Sequence, residues 1–252
     1  MRWCLRIEYD GYGYVGWQRQ KNGSSIQQSI EDAIHKFCGE RVSVFGAGRT
    51  DAGVHALRQA AHFDLNRDTK AEIVRDALNA HLRSQSISII SAHVVSCKFH
   101  ARFSATERSY VYKILNRRPP PALDAGRVWH LQKWLDVDSM NKAAQVLVGE
   151  HDFTTFRAAM CQAKSPVRTL TALSVARVED LVTVSARAPS FLHHQIRNFV
   201  GTLRLVGEGK WTEIDVKNAL LSRDRSKGGE TAPPRGLFLV DVVYPTEVSG
   251  VA

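Results

Sequence analysis

The chain has 252 residues, 44% hydrophobic and 23% charged, the balance of a folded globular protein with one large domain or two small ones. Thirty-four Lys and Arg against twenty-five Asp and Glu leave a net charge of +9, an excess that suits a phosphate-rich partner because each neutralised phosphate releases counterions. No run of eighteen apolar residues is present and MRWCLRIEYDGY lacks the apolar core of a secretory signal, so a membrane span is excluded and a cytoplasmic location is the default expectation.

Trp3 to Tyr9 alternates apolar and polar residues and predicts a half-buried strand. The glycine-rich DGYGYVGWQRQKNG that follows reads as a surface loop. Ser25 and Gln28 then have capping-box spacing ahead of a helix whose Ile26, Ile30, Ala33, Ile34 and Phe37 share a face, ending at Gly39. Strands are predicted at Arg41 to Phe45 and Leu57 to Leu65, a helix at Thr69 to Arg83, and strands at SISIISAHVV and RSYVYKILN. Three prolines in RRPPPALD predict a break between residues 1–117 and 118–252. Beyond it, Asp138 to Val148 reads as a helix closed by Gly149, and Leu170 to Ala188 as a hairpin turning at Glu179 and Asp180. Helices at Ser190 to Val206 and Thr212 to Ser222 precede the closing strand LFLVDVVYP. Irregular alternation with hairpins indicates an α+β fold with mixed or antiparallel sheets rather than a doubly wound parallel one. Cys4, Cys38, Cys97 and Cys161 form no CxxC pair and read as buried thiols in a reducing compartment.

GAGRTDAGVHA holds the most unusual composition. Read as GxGxxG from Gly46, it puts Asp51 where the third Gly belongs, and a carboxylate facing a pyrophosphate has the wrong sign. Read as a P-loop from Gly48, it has Val54 and His55 where Lys and Ser or Thr are needed. What remains is a carboxylate on a glycine-flanked loop between strands, two residues after Arg49; taken alone, it reads first as an ordinary turn in which Asp51 caps a backbone amide. His193 and His194 suggest a metal, but adjacent residues on a helix diverge by about 100° and chelate poorly.

GAGRTDAGVHA resembles the signature of the TruA family of tRNA pseudouridine synthases. The resemblance extends to EYDGYGYVGWQRQKNGSSIQQSIEDAI, to FHARFSATERSYVYKI, to FLHHQIRNFVGTLRLVGEGKW and to TAPPRGLFLVDVVYP, in the family's order across the chain. Gln195 stands where the family usually has Met, and Pro234-Arg235 precede Gly236 where small or varied residues are common. The resemblance implies the pseudouridine synthase fold, two α/β halves meeting at a central catalytic cleft. It implies isomerisation of uridine in the anticodon stem-loop of tRNA, at positions 38, 39 and 40 by tRNA convention, by a homodimer with a basic RNA-binding face. The reaction breaks the bond between uracil N1 and ribose C1′ and joins C5 to C1′; it is redox-neutral, so no metal, nicotinamide or other cofactor is expected.

Through the same resemblance, Asp51 is the catalytic carboxylate, acting as nucleophile or as stabiliser of positive charge at C1′. An ionised Asp51 in a pocket needs a cationic partner, for which the FLHHQIRN motif points to Arg197, expected on a helix flank beside His193 and Arg204. Tyr110 is implied to lie against the target base, stacking and assisting proton transfer at C5, although strand tyrosines spaced like Tyr110 and Tyr112 are most often core. Arg49 is implied to help extrude the nucleotide and Leu237 to floor the base pocket, with His55 either contacting substrate or simply hydrogen-bonded. The rivals are a noncatalytic RNA-binding protein that keeps the fold and a small-molecule enzyme using the same loop.

Overall fold

The computed structural model describes residues 1–246, and among these it has eleven β-strands and five α-helices, an α+β composition as expected. The described chain divides into two compact units, Met1–Arg108 together with residues 238–246, and Ser109–Leu237.

In the first unit, β1 (Arg2–Tyr9) lies between β3 (His55–Asp64) and β4 (Ile87–Val95), antiparallel to both. The closing strand β11 (Leu237–Val243) adds to β3 in parallel, Phe238 opposite His55. A two-residue β2 (Phe45–Gly46) pairs with the other end of β3. Trp3, Leu5, Ile7 and Tyr9 are all buried. Helices α1 (Ile26–Cys38) and α2 (Ala71–Leu82) pack together, and α2 lies on β4. Ser25 Oγ caps α1 by accepting from Gln28 N, and Gly39 closes it in the left-handed region at φ 77°. The strand expected at Arg41 to Phe45 shrinks to Phe45–Gly46 because Val44 N donates to the Glu31 carboxylate instead of a neighbouring strand.

In the second unit, β5 (Glu107–Asn116) neighbours β10 (Leu181–Ala188), which forms a hairpin with β9 (Ala172–Val178). The hairpin turns at Glu179 and Asp180, Glu179 taking φ 51°, as two-residue hairpin loops require. A short β6 (Trp129–Leu131) runs parallel to β5, while β7 (Gly149–Asp152) and β8 (Val167–Leu170) make a separate ribbon. Helices α3 (Val137–Gln145), α4 (Gln195–Gly207) and α5 (Glu213–Ser222) cover this unit's core, in which Phe153, Phe156 and Phe199 meet edge to face.

The prolines at 119–121 lie between β5 and β6 inside the second unit, and β11 returns to the first unit because its pairing partner is β3. The helix expected from Ser190 begins only at Gln195. Of the cysteines, Cys4 is buried as expected, but Cys97 is exposed and Cys38 and Cys161 are intermediate.

Candidate active site

Asp51 sits on the loop joining β2 to β3, which is held at several points from within the first unit. Ala47 N donates to Ala60 O, and Gln59 Nε2, fully buried, donates to Gly48 O at 2.9 Å. The Tyr9 hydroxyl makes a 2.8 Å hydrogen bond to Thr50 Oγ1, while Trp17 N donates to Thr50 O. Val54 N closes the turn on Asp51 O, with Gly53 at φ 76°. Burial pushes the Tyr9 phenol up to about 12, so it stays a protonated hydrogen-bonding strut. The result is a carboxylate of intermediate exposure on a rigid backbone, flanked by exposed Arg49 and Ala52.

The glycine-rich segment after β1 explains itself here. A Cβ on Gly16, which has φ 108°, would stand 2.7 Å from Thr50 O, and one on Gly11 would stand 2.1 Å from Val54 O. Those two positions must be glycine for the loop to press against the Asp51 turn. His55, 2% exposed, lies under it. Its Nδ1 is 2.9 Å from Asp10 Oδ1 and 3.1 Å from the Gly11 N–H, and its ring stacks on Phe238 at 4.6 Å. A protonated Nδ1 donates to Asp10 and a bare one accepts from Gly11; either way the ring is fastened to the 10–11 turn.

Arg108 performs the matching task from the FHARFSATERSY motif. Buried, it donates to Ala47 O at 3.0 Å, to Ala105 O at 3.2 Å and to Arg102 O. One guanidinium therefore joins the start of the Asp51 loop to the 102–105 loop.

In the second unit, Arg197 lies in the first turn of α4. Its Nε donates to Ala232 O at 2.7 Å, and Ala232 N donates back to Arg197 O. The helix and the GGETAPPRG segment touch backbone to backbone: a Cβ on Gly201 would lie 1.8 Å from Glu230 O. Buried Asn198 reinforces this, its Oδ1 accepting from Arg225 and Thr231 and its Nδ2 donating to Phe156 O. The segment ends at buried Leu237. Tyr112 is buried, donates to Pro233 O at 2.7 Å, and has its phenol pKa raised by burial, against the pull of Arg197 and Arg235. It is structural. Tyr110, two residues earlier and less buried, meets Phe191 edge to face at 5.3 Å. His193 and His194 precede the helix rather than lie on it; His194 has φ 63°, and their rings are 4.0 Å apart. The divergence expected of adjacent helical residues is therefore absent, and Arg197 has no helical neighbour one turn earlier at His193.

The structure thus gathers Arg49, Asp51 and His55 in the first unit, and Tyr110, Arg197 and Leu237 in the second. Arg108 belongs to the FHARFSATERSYVYKI motif without an assigned role, whereas Tyr9, Gln59 and Asn198 are supports that no motif marks. Their signal was a polar group inside an otherwise apolar strand or helix face, which burial makes costly unless it is hydrogen-bonded.

A family profile described as tRNA pseudouridine synthase matches residues 6–104 and 143–245. The chain belongs to that family. Among its relatives, the tRNA pseudouridine synthase A of Rhodospirillum centenum is 58% identical over 96% of this chain and 99% of its own. That of Rhodospirillum rubrum is 57% identical over 100% and 91%, and that of Parvibaculum lavamentivorans 53% over 96% and 99%. A solved Cbf5-Nop10-Gar1 complex aligns at 12% identity and TM-score 0.32 over 81% of this chain and 54% of that one, too loosely to bear on the fold. Membership of the family makes this chain an isomerase that forms pseudouridine in tRNA. No helix among the described residues is long and apolar enough to cross a membrane.

Proposed function

We propose that this isomerase acts on the anticodon stem-loop of tRNA, at positions 38, 39 and 40, with Asp51 as its catalytic carboxylate. The observation that carries the reading is the Asp51 loop, in which the backbone is fixed on both sides by buried hydrogen bonds while the carboxylate keeps part of its exposure. Preorganised placement of this kind is what a group acting only in the transition state needs.

The target uridine is flipped from its stem, Arg49 assisting extrusion. Asp51 attacks or stabilises the sugar as the N1–C1′ bond breaks; the base turns and C5 bonds to C1′. The proton on C5 then leaves, with Tyr110 stacked on the ring and assisting the transfer, and N1 is protonated, so the reaction balances without a co-reactant. Arg197, its guanidinium oriented by Ala232 O, serves as the counter-ion of Asp51, and Leu237 floors the base. His55, buried and fastened to the 10–11 turn, sets the loop and contacts the substrate through it. The motif match supports the pairing of Asp51 with Arg197. The enzyme works in the cytoplasm as a homodimer, reading the shape and phosphates of the stem with its net charge of +9.

The test is release of tritium from C5-labelled uridine in tRNA, without added cofactor, followed by mapping of the product. Release confined to positions 38 to 40 supports the proposal. Release elsewhere overturns the stem-loop assignment, and RNA binding without release would make this a noncatalytic RNA-binding protein.

A further inference from the structure

Beside the Asp51 loop the first unit carries a ladder of aromatic rings that the reaction does not use. Phe45, immediately ahead of the loop, stacks on His62 at 5.1 Å; His62 meets His100 at 4.5 Å; His100 meets Phe103 at 4.4 Å. The ladder is buried at His62 and reaches water at both ends. His62 is 3% exposed, Phe45 49% and Phe103 77%. An exposed phenylalanine usually belongs to a mobile tip, but this one is held by its backbone. The His100 ring nitrogen Nδ1 accepts from Arg102 N at 3.1 Å and Phe103 N at 3.4 Å, and Ser104 N donates to His100 O. His62 Nδ1 accepts from Ala101 N, and the Tyr244 hydroxyl donates to Ala101 O. A side chain held this firmly while it buries almost nothing contributes little to folding.

The charge around Phe103 selects the occupant. The guanidinium of exposed Arg102 lies over the Phe103 ring, 5.7 Å from its centroid. Both histidines favour the neutral state, His62 held at about 4 by burial and His100 lowered by burial and by the cations Arg2 and Arg102. The rungs are therefore uncharged rings, with the Arg102 guanidinium beside the tip and Arg2 paired with Asp64. A planar ring beside one guanidinium matches an unpaired nucleobase with its phosphate, the pattern by which single-stranded RNA is held. The ladder is also fixed relative to the catalytic loop, because Arg108 holds Ala47 O and Arg102 O together.

We propose that Phe103 is a stacking platform for an unpaired nucleobase of the substrate RNA, with Arg102 taking the adjoining phosphate. The inference rests on the proposed tRNA activity and adds a second base-holding position to it. It concerns a nucleotide other than the one that reacts.

The test compares wild type with Phe103→Ala, Phe103→Trp and Arg102→Gln in tRNA binding and tritium release. Loss of a base stack should raise the Kd and KM of Phe103→Ala roughly tenfold or more, with a smaller change in kcat. Phe103→Trp should keep wild-type affinity, and tRNA should quench a fluorescence component that wild type lacks. Arg102→Gln should lower the salt dependence of binding by about one counterion. Equal Kd for Phe103→Ala and wild type overturns the proposal, as does a Phe103→Ala protein whose defect is in self-association with tRNA affinity intact. Circular dichroism of each variant establishes that it is folded, which the exposure of Phe103 predicts. If wild type itself neither binds nor converts tRNA, the functional reading fails; if wild type converts tRNA and Phe103→Ala binds as well, only the platform fails.

Discussion

Replacing Tyr9 by Phe removes the oxygen atom that bonds to Thr50, the residue before Asp51. The Tyr9 hydroxyl is bonded to Thr50 Oγ1 at 2.8 Å and accepts weakly from Gln59 Nε2 at 3.4 Å. Thr50 is 7% exposed and Gln59 is fully buried, so the lost partner cannot be replaced by bulk water. Gln59 keeps its bond to Gly48 O, leaving the Thr50 hydroxyl as the group that suffers. A buried polar group without its partner costs about 1–3 kcal/mol, and that is the expected loss in urea unfolding for Tyr9→Phe. Thr50→Val alone should cost a comparable amount. The double variant should cost less than the sum, by about 1 kcal/mol, because neither partner is then stranded. Activity should fall further than stability, since Thr50 precedes Asp51 and a displacement of about 1 Å at a reacting group costs on the order of 100-fold. Tritium release under single-turnover conditions measures this directly. A Tyr9→Phe protein with unchanged stability and unchanged rate, or a double variant whose losses simply add, would refute the view that this hydrogen bond sets the Asp51 loop.

Three further outcomes follow from the same structure. Arg108→Met removes donors from three carbonyls and should destabilise the first unit by about 3 kcal/mol or more, with Arg108→Lys rescuing little because one ammonium cannot span them; thermal unfolding measures both. Gly201→Ala places a methyl 1.8 Å from the Glu230 carbonyl and should lower kcat with Arg197 itself unchanged, because the helix must move off the segment that orients the guanidinium; wild-type turnover would refute it. His62, held at about 4 by burial against an ordinary 6.5, takes up its proton in the unfolded chain before the folded one. Stability should therefore be constant above pH 6.5 from this group, fall as pH drops from 6.5 towards 4, and level off below; His62→Gln should flatten that stretch in urea midpoints taken across pH.

Much of the local structure was legible because its causes are local. Ser25 and Gly39 mark the ends of α1 through a cap and a left-handed residue, and Glu179-Asp180 marks a hairpin because two polar residues separate two alternating runs. The reach of α4 was not. Leu192 is buried and keeps the helical spacing, yet its N–H is taken by the Gln195 side chain and His194 adopts φ 63°, so the apolar pattern runs on past the helix itself. The return of β11 to β3 is a pairing across most of the chain, which no local pattern encodes. For the site, Asp51 was visible as a carboxylate among glycines, but its supports were not. Gln59 and Tyr9 read as ordinary strand residues, and only the fold brings them within hydrogen-bond distance of Gly48 and Thr50.

In the proposed mechanism the carboxylate of Asp51 carries the reaction. Asp51→Asn keeps the shape of the side chain and removes its charge, so the fold and tRNA binding should persist. Single-turnover tritium release from C5-labelled tRNA decides this: Asp51→Asn should give no release above background beside full release for wild type, and release at the wild-type rate would show that the carboxylate is dispensable.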